Sequence, residues 1–198
     1  GRSTSGCIDI KASFFGTIYK FCDSEIIIPF LPHLWGKAEK EIAVTKIGNL
    51  PEEEQEVFSD ITENTVGLDQ LKEYLSTIRL WYKKGILFLE MNGALALYTI
   101  ENSQACQRYL KTRYTHIIVD EYQDSGLEQH ELFLRLQSLG LTAIAVGDPN
   151  QSIFGFSNKD PKYLLSLPKK DEFTTFPITI NHRSHPSIIN YSLKLLDE

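Results

Sequence analysis

Cysteine and positive charge are both scarce in this chain. Its 198 residues include three cysteines, one methionine and two tryptophans. Cys7, Cys22 and Cys106 lie far apart and form no Cys-x-x-Cys pair, which excludes a disulfide scaffold and a cysteine-based zinc site and favours buried thiols. The 20 basic and 26 acidic residues give a net charge of -6. This balance excludes a protein that holds nucleic acid by bulk electrostatics, so a DNA function would need a local groove or base stacking.

Long apolar runs are also lacking. Crossing a bilayer takes roughly 18 consecutive apolar residues, and the longest candidates, Ile26–Leu34 and Ile86–Tyr98, are interrupted by prolines or polar residues. The opening residues GRSTSG lead into no apolar signal segment. With 42% hydrophobic and 23% charged residues, the composition is that of a globular protein with a substantial core. We therefore expect a cytoplasmic protein with no membrane partner.

The beginning of the chain is predicted to form a strand and a helix. The apolar residues of Ile8–Phe15 predict a strand that ends at Gly16. The following residues place apolar side chains on one face of a helix, and Pro29 and Pro32 predict its end. Proline interrupts a helix because it lacks the backbone N–H donor and its ring clashes with the preceding turn.

The middle of the chain is predicted to contain a polar segment and two helices. Residues 36–64 are polar and acidic, which is typical of a solvated loop or surface. From Leu68 onward, aromatic and aliphatic residues recur at helical spacing as far as Gly85, which supplies a stop. Aromatic residues at that spacing favour a helix packed in the core. A further helix leads to Tyr114.

The last part of the chain has the pattern of a parallel sheet. The apolar runs THIIVD and LTAIAVGD are separated by a predicted helix through Leu132–Leu139 and by Gly140. Strand, helix and strand at this spacing form a βαβ unit with a right-handed crossover. A third strand is predicted over Thr174–Ile180, before a last helix from Pro186. In such sheets, ligands bind beyond the carboxyl ends of the strands.

Acidic side chains stand where the first two predicted strands end. Asp120 and Glu121 follow the first strand directly. One carboxylate of such a pair can hold Mg²⁺ while the other accepts a proton from an attacking water. Acidic residues also commonly begin the loop after a strand, so the pair alone does not decide between these interpretations. The turn GDPNQ exposes Asp148 and Gln151 beside the pair.

Aromatic, basic and imidazole side chains complete the set of candidates. Phe154 and Phe156, two residues apart on a predicted loop, fit either a plug in the core or a platform for stacked bases. Arg183, at the end of the third predicted strand, could contact a phosphate through two donors. No third metal ligand lies near His182 and His185, which favours polar surface positions over a metal site.

Three segments together resemble a known family. IIVDEYQDS, AVGDPNQSIFGF and TINHRSHPSIIN, in this order and at this spacing, resemble the UvrD/Rep family of superfamily 1 DNA helicases. The resemblance spans most of the chain but is weak from Leu31 to Arg113. It implies an α/β fold, with a RecA-like P-loop NTPase sheet of parallel strands flanked by helices. That motor core would comprise residues 1–30 and 113–198, and a mostly helical inserted subdomain would comprise residues 31–112.

The resemblance implies an ATP and Mg²⁺ site. Asp120 and Glu121 would form the metal site, in which Asp120 would bind Mg²⁺ and Glu121 would polarise the hydrolytic water. Gln151 would sense the γ-phosphate of ATP, and Arg183 would stabilise charge on it during transfer. Two further residues would tie the loops of this site together: Gln123 and Asp148.

The resemblance also implies contacts with single-stranded and double-stranded DNA. Phe154 and Phe156 would stack against single-stranded bases, where the family uses a tyrosine and a tryptophan or phenylalanine. GTIYKFC resembles the family's GTxHxFC segment, which places Thr17 and Tyr19 on the DNA side. Tyr19 stands where histidine is usual. A second departure is SNK after the aromatic loop, where Arg-Gly-Ala is usual, so that one positive contact is absent or displaced to Lys159.

The largest departure from the family is the lack of a phosphate-binding loop. No G-x-x-x-x-G-K-[ST] occurs in the sequence, and the one Gly-Lys pair, Gly36-Lys37, lacks the remaining residues of that motif. Such a loop supplies backbone donors to the α- and β-phosphates of a nucleotide. The family places this loop upstream and a second motor domain downstream. We therefore expect this chain to be a middle slice of a longer helicase, inactive by itself.

Three functions are compatible with these residues. The first is an ATP-dependent DNA helicase or DNA-stimulated ATPase, with 3′-to-5′ movement on single-stranded DNA implied by the family. The second is a non-processive module that senses DNA or nucleotide with a partner nuclease, since GTIYKFCDSEIIIPF resembles the helicase-like subunit of Gabija antiphage defence systems. The third is a metal-dependent nuclease using Asp120, Glu121 and Asp148. It is disfavoured because Gln151 and Arg183 would then have no role.

Overall fold

The computed structural model describes residues 13–59, 61, 66–151, 160–180, 184–188 and 191. The chain divides into two units, residues 1–165 and 166–198. The helices are α1 (Ile18–Phe21), α2 (Ile28–Trp35), α3 (Glu52–Gln55), α4 (Leu68–Lys83), α5 (Asn92–Asn102), α6 (Gln104–Arg113), α7 (Leu127–Ser138) and α8 (Lys162–Ser166). The strands are β1 (Ala43–Thr45), β2 (Ile86–Phe88), β3 (His116–Val119) and β4 (Thr142–Ala145). The 3₁₀ turns are Ile47–Asn49, Glu56–Phe58, Leu89–Met91, Tyr122–Asp124, Pro149–Gln151 and Leu167–Lys169.

The core of the first unit is organised around α5. Nearly every residue of α5 is buried, including Gly93, Leu95 and Ile100. A helix that is buried on all sides must be apolar all round, and ALALYTI meets that requirement. Helices α2, α4, α6 and α7 pack around α5. A helix at this position was not predicted, because a run that is apolar on all sides lacks the amphipathic period that indicates a helix.

The predicted helix stop at Pro29 and Pro32 is wrong. A π-helical turn, Cys22–Ile27, joins α1 to α2, and α2 continues through both prolines to Trp35. Pro29 lies in the first turn of α2, where a missing N–H costs little. Pro32 lies inside the helix, where proline is unfavourable by about 3 kcal/mol. Complete burial of the neighbouring core side chains offsets that cost; they are Ile26, Ile27, Leu31 and Trp35.

The polar and acidic segment over residues 36–64 contains a strand as well as loops. Strand β1 lies in this segment and pairs in parallel with β2, with Ala43 opposite Ile86. Ile47 and Phe58 are buried in the main core, while most of the carboxylates of α3 remain exposed. The predicted solvated surface is thus confirmed for the charged side chains. The two apolar anchors were not predicted, because single apolar residues in a polar run produce no periodic pattern.

The predicted βαβ unit is confirmed. Strands β3 and β4 pair in parallel, with His116 opposite Thr142 and Val119 opposite Ala145. Helix α7, which connects them, packs against both strands and starts five residues before the predicted Leu132. Ile117 packs on the main core, and 65% of the side chain of Ile118 is exposed. The alternation of the strand therefore points one face of β3 inward.

The predicted third strand, Thr174–Ile180, is wrong. Residues 173–180 form no strand in the described part of the second unit, and Phe176 and Ile178 are 83% and 88% exposed. A strand is defined by its pairing with a neighbour, which an apolar sequence alone does not provide. The last helix does begin at Pro186, since residues 186–188 are helical.

The structure tests little of the predicted N-terminal strand and of the predicted domain division. Most of the predicted strand Ile8–Phe15 lies outside the described residues, and residues 13–15 are not in a strand. The division into a motor core and an inserted subdomain at residues 31–112 stays a prediction. Among the described residues, the helices are too short or too polar to cross a membrane.

Candidate active site

A strained turn follows β3. Glu121 has φ 51° and ψ 43°, the one left-handed backbone conformation among the described residues other than glycine. A non-glycine residue held in this region costs about 1–3 kcal/mol, and such strain clusters at functional sites. The carboxylate of Asp120 partly offsets it, because its Oδ1 accepts a hydrogen bond of 2.9 Å from the Glu121 N–H. The turn sets both carboxylates at the end of the strand.

Gln123 links that turn to the end of β4. Its side chain is 1% exposed. The amide Nε2 donates to Oε2 of Glu121 at 2.7 Å, and Oε1 accepts from the backbone N–H of Asp148 at 3.0 Å. A Cβ added to Gly147 would lie 2.5 Å from that Oε1, so the close approach requires glycine.

Asp148 organises the turn after β4. Its Oδ1 accepts from the N–H of Asn150 at 3.0 Å, and its Oδ2 accepts from Nε2 of Gln151 at 2.9 Å. The Gln151 N–H also donates to the Asp148 carbonyl at 3.0 Å. Hydrogen bonds between an aspartate and the backbone two residues on are typical of tight turns. Asp148 therefore fixes the side chain of Gln151.

The backbone brings the two turns together. The N–H of Tyr122 donates to the carbonyl of Val146 at 2.8 Å, and the Val146 N–H donates to Val119 at 2.9 Å. These bonds extend the β3–β4 pairing beyond the last paired residues. Four sequence-predicted residues thereby form one hydrogen-bonded series, in which Gln123 meets the backbone N–H of Asp148: Glu121, Gln123, Asp148 and Gln151.

The donor set at this edge fits Mg²⁺. Asp120 and Glu121 are exposed carboxylates, and Mg²⁺ is usually held by one or two carboxylates together with water and nucleotide phosphates. No group of three or more metal-binding side chains occurs among the described residues, and a site of this kind does not need one. Asp148 is engaged differently, because both of its carboxylate oxygens accept hydrogen bonds within its own turn.

The structure places Thr17 at the N-terminal cap of α1 and Tyr19 within that helix. The exposed Thr17 caps the helix because its Oγ1 accepts from the Lys20 N–H at 3.3 Å. Tyr19 is half-buried and lies near Gln129 and Glu128 of α7. Burial and then the charge of Glu128 raise the pKa of Tyr19. These contacts give both residues structural roles, and DNA contact by either stays a prediction.

Three predicted site residues lie outside the described residues: Phe154, Phe156 and Arg183. The stacking platform and the phosphate contact assigned to them therefore stay predictions. The structure also shows a cluster that the sequence did not predict, formed by Tyr122, His130 and Tyr163. Helical spacing places His130 on the inner face of α7, and no other pattern in the sequence singles it out.

Comparison with known proteins identifies one matching family model and several relatives. The family model of the UvrD/REP helicase N-terminal domain matches residues 40–172. Gabija protein GajB of Bacillus cereus is 30% identical over 198 residues, which cover 92% of this chain and 35% of that protein. ATP-dependent DNA helicase Rep of Buchnera aphidicola is 29% identical over 127 residues, covering 63% of this chain and 19% of Rep. The ATP-dependent helicase/nuclease of Syntrophomonas wolfei is 34% identical over 114 residues of one of its subunits, covering 54% of this chain and 9% of that subunit.

The chain belongs to the UvrD/REP helicase family, because the family model matches most of its length. The matched range contains the series from Glu121 to Gln151. The chain spans about a third of GajB and less of the other two relatives. The family's α/β character agrees with a helical unit that carries two small parallel sheets.

Proposed function

We propose that the protein is an ATP-dependent DNA helicase, a DNA-stimulated ATPase of the UvrD/Rep type that moves 3′-to-5′ on single-stranded DNA. The observation that supports this most is the hydrogen-bonded series from Glu121 through Gln123 and Asp148 to Gln151. It holds an acidic and an amide side chain at the shared edge of β3 and β4, where parallel sheets bind ligands.

Each residue of the candidate site would have its own role in ATP hydrolysis. Asp120 would hold Mg²⁺, which when bound neutralises charge on the phosphate oxygens. Glu121 would orient the attacking water and accept its proton. Gln123 fixes the direction of the Glu121 carboxylate through its 2.7 Å hydrogen bond. Gln151 would contact the γ-phosphate from the position that Asp148 gives it.

Other parts of the proposal rest on the family alone. Arg183 would stabilise the charge that develops during phosphoryl transfer, and Phe154 and Phe156 would stack on bases. The chain has no phosphate-binding loop, so we propose that it hydrolyses no ATP by itself and works as part of a longer cytoplasmic protein. The complete RecA-like sheet with its inserted subdomain belongs to the same proposal.

A second candidate function is a DNA- or nucleotide-sensing module that acts with a partner nuclease in antiphage defence. The similarity to Gabija protein GajB over 92% of the chain supports it. The helicase/nuclease name of the Syntrophomonas wolfei relative also favours a nuclease partner. The two functions differ in one measurable property, because only the helicase requires sustained ATP turnover.

DNA-stimulated ATP hydrolysis by the full gene product distinguishes them. We expect stimulated turnover in the wild type and a loss of at least about 100-fold in Glu121→Gln, since a general base contributes 10²–10⁴ to the rate. Glu53→Gln, on exposed α3, is the matched control and should keep wild-type activity. The isolated chain should be inactive. A folded full-length protein that shows no turnover with DNA and its partner would favour the sensing module.

A further inference from the structure

A basic cluster lies at the end of α4, although the chain as a whole has a net charge of -6. Segment 37–43 is held along this end by two backbone hydrogen bonds, from the Glu39 N–H to the Lys83 carbonyl at 2.9 Å and from the Ala43 N–H to the Gly85 carbonyl at 2.8 Å. Among the residues that the structure describes, the lysines of the cluster form no ion pair. Like charges held close together repel one another unless an acidic partner compensates them. The cluster consists of Lys37, Lys40, Lys83 and Lys84.

A mostly apolar cavity of about 340 Å³ lies beside this segment. Ile28 is 45% exposed at the cavity, whereas Tyr82 is buried and its Oη donates to the Gly36 carbonyl at 2.9 Å. The lining includes Ile28, Ile42, Tyr82, Lys37, Lys40 and Glu41. We call it the basic-rimmed cavity. Its shape and charge fit an apolar side chain that has carboxylates beside it.

The acidic segment around α3 has the complementary features. Residues 52–57, EEEQEV, include four glutamates and no basic residue. Glu52 and Glu56 are both exposed and lie about one helical turn apart, and Val57 beside them is 52% exposed. The segment is fixed in place, because Phe58 is buried in the main core and Nε2 of Gln55 donates to the carbonyl of residue 50 at 2.6 Å. It therefore presents an apolar side chain next to carboxylates.

We propose that two copies of the protein associate through these surfaces, with Glu52, Glu56 and Val57 of each copy docked on the basic-rimmed cavity of the other. Within one copy, no ion pair joins the two surfaces among the described residues. A contact to which each copy contributes both surfaces forms twice around a two-fold axis and closes a dimer. Charge complementarity selects the surfaces that meet, and the apolar contact adds buried area. The inference does not depend on the proposed function, because it requires neither ATP nor DNA.

Sedimentation velocity of the full gene product, without ATP or DNA, measures this association. Exposed ion pairs contribute little individually, so we expect a dimer with a dissociation constant on the order of 10 μM, as suits a small polar interface. The dissociation constant should rise at least about tenfold between about 0.1 M and about 1 M NaCl, since the screening length falls from about 10 Å to about 3 Å.

Two charge reversals test which surfaces meet. Lys37→Glu/Lys40→Glu reverses the rim of the cavity, and Glu52→Lys/Glu56→Lys reverses the acidic surface. Each variant alone should be monomeric where the wild type is dimeric, because both of its contacts then oppose like charges. An equal mixture of the two variants should form the dimer again, since both contacts in the mixed dimer are complementary.

Arg108→Glu/Lys111→Glu, at exposed positions of α6, is the matched control. It changes the net charge as much as reversal of the rim does and should remain dimeric.

Three results would overturn the inference. They are a wild type that stays monomeric well above the expected dissociation constant, reversed variants that associate as the wild type does, and a mixture of the variants that stays monomeric. If Glu52→Lys/Glu56→Lys does not fold, Lys37→Glu/Lys40→Glu still decides the question by comparison with the α6 control. Failure of the helicase proposal is seen separately, because that proposal is tested by ATP turnover and this one by molecular mass.

Discussion

The side-chain amide of Gln123 donates to the carboxylate of Glu121 at 2.7 Å. The two residues are two positions apart, and the left-handed backbone of Glu121 turns the carboxylate back toward the amide. The oxygen of the same amide, Oε1, accepts a hydrogen bond from the Asp148 N–H. One buried side chain thus sets the direction of the proposed general base and the spacing between two loops.

Replacing Gln123 by glutamate should impair ATP turnover. Gln123→Glu removes the donor and sets a second carboxylate against Glu121, and like charges at this distance disfavour the ionised base. We expect kcat to fall at least about tenfold, as misdirection of a general base does. Gln104→Glu, at an exposed position on α6, makes the same change without these contacts. Equal kcat values for the two variants in a steady-state ATPase assay would show that the amide does not orient Glu121.

A methyl group at Gly93 should destabilise the protein. A Cβ there would lie 2.4 Å from Cγ of Glu128 on α7, at the contact between α5 and α7. Alanine favours a helix over glycine by about 1 kcal/mol, but overpacking of a core costs typically 1–3 kcal/mol.

We therefore expect urea unfolding to show Gly93→Ala as less stable than the wild type by up to about 2 kcal/mol. Gly48→Ala is the matched control, because a Cβ at Gly48 meets nothing within 4 Å. If Gly93→Ala were the more stable of the two, Glu128 would have to move aside without loss, and the close contact would not constrain α5 and α7.

Glu25 should make stability depend on pH. Burial alone would raise its pKa, but hydrogen bonds from the hydroxyls of Tyr109 and Tyr114, each 2.7 Å, and the charge of Arg113 lower it below the ordinary value of 4.5. Burial, and then the bond to Glu25, raise the pKa of Tyr109 to about 12. That hydroxyl therefore stays a donor throughout the acidic and neutral range.

Because the folded pKa of Glu25 lies below the unfolded one, its contribution to stability is fully present above pH 4.5 and is lost as pH falls through the folded pKa. Glu25→Gln should lower the free energy of unfolding by about 1–2 kcal/mol at pH 7, as expected for hydrogen bonds to a charged group. The difference from wild type should shrink below pH 4.5.

Denaturant unfolding curves at several pH values measure the difference in the free energy of unfolding between Glu25→Gln and the wild type. Burial raises the pKa values of Asp23 and Glu131, so their contributions have the opposite sign. They are present in both proteins and cancel in the comparison. Glu53→Gln, at an exposed site, should show no such pH-dependent difference. A constant difference for Glu25→Gln down to pH 3 would mean that the charge of Glu25 is not what the tyrosines stabilise.

Helices α4, α6 and α7 and strands β3 and β4 follow from the pattern of apolar residues, which is local information. The apolar pattern of THIIVD and LTAIAVGD is sufficient to give β3 and β4, and their parallel pairing follows from the helix between them. The helix end predicted at Pro29 and Pro32 was wrong because proline disfavours a helix locally. The burial of Leu31 and Trp35, which depends on tertiary packing, stabilises the helix despite the prolines. The strand predicted over Thr174–Ile180 was wrong because a strand needs a neighbouring strand to pair with, and an apolar sequence alone does not provide one.

For the candidate site, residue types were predictable and their connections were not. Carboxylates and amides after parallel strands predict a nucleotide site because strand ends meet at one edge. The sequence by itself determined which side chains stand there: Asp120, Glu121, Gln123, Asp148 and Gln151. Only the tertiary structure decided that Glu121 adopts a left-handed backbone, that Gln123 bridges two loops, and that His130 joins Tyr122 to Tyr163. Such contacts depend on distances between residues far apart in the chain, which a local pattern does not encode.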